Sequence, residues 1–193
     1  MSIFDITIYQ TVEHRHDQTE EALIAQGPIF CESDDAWLGS GYYFWDSRIE
    51  DAHWWGKHAY IRKNKSYRIC QAQMTLNRLT CFDLLGCIDH VKEFFFSIDT
   101  IQKHQGAGSG ILVEDVLCYM RSLPNWNYGA IRAEPSPTYS NNKSNVKPHA
   151  YFPGLNFWLA ETNKVQICIN DKAKVNFRQF CVVTTFEIDR NDV

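Results

Sequence analysis

Several features are missing from this chain of 193 residues, and each absence removes a class of protein. No apolar run approaches the ~20 residues needed to cross a bilayer as a helix, so no membrane span is expected. The start, Met1-Ser2-Ile3-Phe4-Asp5-Ile6-Thr7, carries no basic segment followed by an apolar one, so no secretory leader is expected. The seven cysteines, at 31, 70, 81, 87, 118, 168 and 181, are odd in number and contain no Cys-x-x-Cys. That pattern argues against a metal site and for reduced, mostly buried thiols, as in a cytoplasmic protein. A positive balance is missing too: the net charge of −4 argues against nucleic-acid binding by bulk electrostatics. One local gap runs the other way. Between Ala52 and Phe82 there is no Asp or Glu, while Lys57, Arg62, Lys63, Lys65, Arg68 and Arg78 are present. Both a solvated basic face and a patch that guides a phosphate-bearing ligand fit that stretch.

What is present suits a single domain over 1–193. The hydrophobic content of 45% is enough for a real core, and 22% charged residues are ordinary for a globular chain. The most unusual stretch is Trp37-Leu38-Gly39-Ser40-Gly41-Tyr42-Tyr43-Phe44-Trp45-Asp46-Ser47. Gly39 and Gly41 allow a tight turn, and Tyr42 to Trp45 favour a pleated, half-buried strand. Ser47 with Glu50 three residues later makes a capping-box pattern, so a helix is expected from Ser47 to about Tyr60. Taken alone, the four aromatics fit either a core strand or a platform on which a flat ring stacks.

Elsewhere, Ile3 to Val12 alternates as a strand, with Ile6, Ile8 and Gln10 on one face and Thr7, Tyr9 and Thr11 on the other. Asp17, with Glu20 three residues on, predicts a short helix that Gly27 and Pro28 end. Tyr67 to Leu76 predicts a strand, and 84–104 and 111–123 predict helices from their apolar spacing. Gly106 to Gly110 reads as a connector, since it follows no strand and lacks a phosphate-loop spacing. Tyr128 to Ala133, Leu155 to Ala160, Val165 to Asn170 and Phe180 to Ile188 predict further strands. The polar, proline-bearing stretch from Glu134 to His149 predicts a long loop.

The run Gly39-Ser40-Gly41-Tyr42-Tyr43-Phe44 resembles the Gly-x-Gly-aromatic-Tyr-Phe segment of the ADP-ribosyltransferase superfamily, in its poly(ADP-ribose) polymerase and diphtheria-toxin branch. The longer phrase ending in Trp45, followed by Ala52-His53-Trp54-Trp55, is similar to small bacterial members that act as toxins or in phage defence. The resemblance implies an α+β fold with a split β-sheet core, two small packed sheets with flanking helices and NAD between them. It also implies that Tyr43 stacks on nicotinamide, with Tyr9, Gln10, Thr11, Gly39, Gly41, Tyr42 and Phe44 around the NAD. Gln10 stands where the family most often has histidine; His14 and His16 lie nearby in sequence. The family's third motif, where a glutamate holds the nicotinamide ribose, falls on Val165-Gln166-Ile167-Cys168. Gln166 is its counterpart by the simplest match and Cys168 by another; Glu161 and Glu134 are the nearest carboxylates.

A catalytic set of Gln166, Tyr43 and Gln10 without the glutamate implies mono-ADP-ribosyl transfer, not polymer synthesis. By resemblance, the acceptor is nucleic acid or a cellular protein, and a neutralising antitoxin protein is implied as partner; the basic 52–82 stretch and the Asn- and Lys-bearing loop favour nucleic acid, with RNA first. The alternative is a catalytically weak or inactive module of the same fold that binds a nucleotide or a partner protein.

Overall fold

The computed structural model describes residues 3–33, 36–105, 110–135, 148–151, 158–160 and 164–188. Among these, the chain is α+β, with one mixed seven-stranded sheet, a separate two-stranded hairpin and four α-helices. Strand β1 (Phe4–Glu13) leads into α1 (Glu20–Gln26), then β2 (Tyr42–Asp46) and α2 (Ile49–Ala59). A 3-10 turn (Ile61–Lys63) precedes β3 (Tyr67–Leu76) and the short β4 (Cys81–Asp83). Next come α3 (Ile88–Gln105), α4 (Val113–Arg121) and β5 (Ala130–Ala133). The chain closes with β6 (Pro148–Tyr151), β7 (Trp158–Ala160), β8 (Gln166–Ile169) and β9 (Arg178–Phe186). No helix among the described residues is long and apolar enough to cross a membrane.

The sheet order is β4-β5-β8-β2-β1-β3-β9, and β6 pairs with β7 apart from it. Where two small packed sheets are expected, the described residues show one continuous seven-stranded sheet beside the β6–β7 pair. Its two halves are stitched by a narrow seam, since β1 and β2 pair only at Ile8↔Asp46 and Tyr9↔Trp45. On one side β1 and β3 pair over ten residue positions; on the other β2, β8 and β5 form an antiparallel ladder. Alternation along each strand foretells that it is a strand, but it carries no information on which strand lies next to it.

The two faces follow from the register, because directly opposed residues share a face. Ile6, Ile8, Phe44, Met74, Ile167 and Ile169 form the core on one face, with Leu23 of α1 packed near Val12 and Cys70. The other face has two cores. Trp45, Ala52, Tyr67 and Ile69 lie under α2, while Phe82, Phe94, Leu117, Met120 and Ile131 lie under α3 and α4.

Several local expectations change. Thr19, not Asp17, caps α1, its hydroxyl accepting from Ala22 N–H at 3.2 Å. Ser47 does not cap α2; it sits at φ 58° with its hydroxyl on Asp46 Oδ1 at 2.6 Å, and Arg48 takes the cap position. The helix expected from Leu84 begins at Ile88, because 81–83 is a strand and Asp83 Oδ1 accepts from the Leu85 and Gly86 amides to make a turn. Pro148 and His149, read as loop, belong to β6. The connector at 106–109 and most of the long polar stretch lie outside the described residues.

Candidate functional site

A cleft of about 760 Å³ opens where β1 and β2 diverge beyond their two-pair seam. Its lining draws Gln10 and Thr11 from β1, Tyr43, Phe44 and Trp45 from β2, Trp54 and Trp55 from α2, and Gln166 from β8. Arg15 and Lys164 bring positive charge to it, and Lys164 Nζ lies 4.2 Å from the centre of the Trp54 ring. Glu13 is the one carboxylate among the described lining residues, and Lys65 holds it at 3.1 Å.

Register explains why Tyr43 and Gln166 meet. Trp45 lies opposite Gln166 and Tyr43 opposite Cys168 across the β2–β8 ladder, so all four share the face that carries α2, α3 and α4. Tyr42 is turned to the opposite face, edge-on to Phe30 with Lys172 Nζ 4.5 Å from its ring centre. Tyr9 packs beside Trp45 beneath α2. Gln10, Thr11, Tyr43, Phe44 and Gln166 line the cleft, while Tyr9, Gly39, Gly41 and Tyr42 are not among its lining residues.

The glycine turn serves Tyr43. The Tyr43 hydroxyl accepts from Leu38 N–H and donates to the Gly39 carbonyl, both at 2.9 Å. Burial pushes its phenol well above the ordinary range, with the neighbouring Cys168 adding to the effect, so it is a neutral anchor. The Gly39 amide donates to Ala36, and the Gly41 amide and carbonyl both pair with Cys31. Beneath the turn, Arg121 Nη2 donates to the Leu38 carbonyl at 2.8 Å. Cys168 is fully buried with Sγ 3.5 Å from the Gly39 carbonyl, and burial pushes its thiol up to about 11. It is a packing residue, not a thiolate facing the cleft.

Both glutamines are engaged. Gln10 is 6% exposed; its Nε2 donates to the carbonyls of Ile29 (2.9 Å) and Tyr43 (3.2 Å), and its Oε1 accepts from Ile29 N–H (2.7 Å). The amide thus bridges the gap that opens between β1 and β2. The Thr11 hydroxyl donates to the Ala52 carbonyl at 2.8 Å and ties β1 to α2. Gln166 Oε1 accepts from the Trp37 indole at 2.6 Å.

His14 and His16 are not in this cleft. They line a separate cavity of about 430 Å³, where His14 meets Glu187 at 3.4 Å. Burial, with Arg68 nearby, lowers the pKa of His14 against the pull of Glu187. Glu134 follows β5 and is half-buried, and Glu161 lies outside the described residues. The basic stretch is divided by the fold. Arg68 is buried with Nη1 on the Gln18 carbonyl, and Arg78 lies beyond the far end of β3. Lys57, Arg62, Lys63 and Lys65 stay exposed around the end of α2 and the 3-10 turn.

Sequence reading missed Arg15, Arg121 and Lys164, and it did not pair Trp37 with Gln166. Trp37 belonged to the motif phrase, but a hydrogen bond spanning 129 positions has no sequence signal. Comparison with protein-family models, with curated proteins and with solved structures finds no match for this chain.

Proposed function

We propose that the chain is an NAD-dependent mono-ADP-ribosyltransferase, a toxin-like effector whose sheet is a version of the split ADP-ribosyltransferase core. The observation that carries the reading is convergence. Gln10, Tyr43 and Gln166, singled out by resemblance and spread over more than 150 positions, line one cleft with aromatic walls and two cations. Mostly apolar walls with a few polar groups suit a flat, charged dinucleotide. Tyr43 is the stacking surface for nicotinamide, and Arg15 and Lys164 are the cations available to the pyrophosphate. In the reaction, the bond between ribose C1′ and the nicotinamide nitrogen breaks. Its electron pair leaves with neutral nicotinamide, and an acceptor nucleophile bonds to C1′ and gives up its proton. Orientation and desolvation in the cleft supply the acceleration. Nucleic acid, with RNA favoured, is the proposed acceptor because exposed cations flank the cleft; a protein acceptor and a neutralising protein partner remain part of the same reading.

The test is nicotinamide release from labelled NAD, alone and with cellular RNA, DNA or protein. Label entering one pool identifies the acceptor class, and Tyr43→Ala abolishes both NAD binding and release. A second reading, a non-catalytic nucleotide-binding module, is favoured by one observation: Glu13, the carboxylate of the described lining, is already paired with Lys65. Saturable NAD binding with no release under any condition decides for it.

A further inference from the structure

The polar group that Gln166 offers to the cleft is set by Trp37. An indole N–H can only donate, so the amide edge facing it must be the carbonyl oxygen. The Trp37 Nε1 to Gln166 Oε1 distance of 2.6 Å is that of a short hydrogen bond. Both residues line the cleft, and Gln166 is half-buried there. Gln166 Nε2 makes no hydrogen bond among the described residues. Val165, just before β8, and Ile167 within it are both buried, which limits the freedom of the strand carrying the amide.

We propose that Trp37 is a positioning residue that fixes the Gln166 carbonyl oxygen on the indole and leaves Nε2 as the amide's donor, so that this part of the cleft receives an acceptor group of the ligand. The proposal rests on the NAD reading for the identity of that group, a ribose hydroxyl oxygen. A donor at this point can hold the hydroxyl, but it cannot take a proton from it and it does not stabilise positive charge at C1′. The arrangement favours binding over nicotinamide expulsion. It also gives Gln166→Glu a defined outcome: one carboxylate oxygen keeps the indole hydrogen bond and the other faces the cleft as an acceptor.

Two measurements on the full chain test this. In the first, the Trp37 indole proton, assigned by its loss in Trp37→Phe, is followed by ¹⁵N-resolved NMR. It is expected downfield and slow to exchange in wild type and in Gln166→Glu, and shifted upfield with fast exchange in Gln166→Leu. An indole signal indifferent to Gln166→Leu overturns the latch. In the second, NAD affinity and nicotinamide release are measured separately. Trp37→Phe is expected to weaken NAD binding about tenfold, the scale of one hydrogen bond, and Gln166→Glu to raise nicotinamide release at least about tenfold over wild type. Wild-type affinity in Trp37→Phe, or no gain in Gln166→Glu, overturns the positioning role. Absence of NAD binding in wild type overturns the proposed function instead, and the indole signal then still decides the latch.

Discussion

At the scale of single residues, the turn before β2 is held by close approach from two directions. Gly39 sits at φ +80°, and a Cβ there would collide with the Arg121 guanidinium. A Cβ on Gly41 would lie 2.5 Å from Cys168 Sγ and 2.9 Å from the Ile169 carbonyl, which is backbone and cannot step aside. Gly41→Ala is therefore expected to destabilise by about 1–3 kcal/mol through overpacking, read as a lowered urea midpoint. Gly39→Ala carries a left-handed penalty as well, of order 1 kcal/mol. Tyr43→Phe leaves the Leu38 amide without its acceptor and the Gly39 carbonyl with only the weak Cys168 thiol donor. A loss of about 1–3 kcal/mol is expected, with the same unfolding assay as the check. The two glycines and the tyrosine were conspicuous in the sequence. Arg121, which props the same turn from 83 positions away, was not, because an arginine near a helix end has no local mark of such a role.

At the scale of elements, the decisive feature is a strand pair that parts early. After Tyr9 and Trp45 the β1–β2 ladder stops, and the Gln10 amide takes over from backbone bonds by holding Ile29 and the Tyr43 carbonyl. Cys31 meanwhile bridges to Gly41, so the segment after α1 continues along the freed edge of β2. Gln10→Met keeps the length and loses all three hydrogen bonds. It is expected to speed amide exchange at Ile29 by tenfold or more while exchange at Ile8 and Ile69 stays slow; uniform acceleration throughout would make Gln10 a general stability residue instead. Helices and long strands were legible in the spacing of apolar residues. The three-residue β4 was not, since so short a strand carries no periodicity, and the α2 cap was misread because Ser47 turns its hydroxyl to Asp46.

At the scale of the whole molecule, an ion triad of one half-buried arginine and two buried carboxylates fastens three strands. Arg132 of β5 reaches Asp46 of β2 at 2.6 Å and Asp83 of β4 at 3.1 Å. Burial pulls the guanidinium pKa down, but the two carboxylates outweigh it and hold it raised. Arg132→Met strands two buried carboxylates and is expected to cost about 3–5 kcal/mol, measured by urea unfolding. Next to the triad, the His90 Nδ1 accepts from the Asp83 amide at 2.9 Å, which requires a neutral ring. Burial lowers its pKa below the ordinary 6.5, so the unfolded chain takes up the proton first. Stability is therefore expected to fall as pH drops from about 7 through the 6–5 range, and His14 and His53, lowered mainly by burial, act in the same direction. In urea midpoints, His90→Gln should lie below wild type at neutral pH, with the gap narrowing as the pH falls; a pH-independent gap would remove His90 as a source. The sequence by itself determined the α+β character, most of the elements and the residues worth watching, because periodicity, turn chemistry and motif are local. Only the tertiary structure decided that β8 lies between β5 and β2, that seven strands join in one continuous sheet, and that Trp37 meets Gln166 across 129 positions. Those outcomes depend on which backbone edges find each other, and the alternation of a strand is the same whichever neighbour it takes.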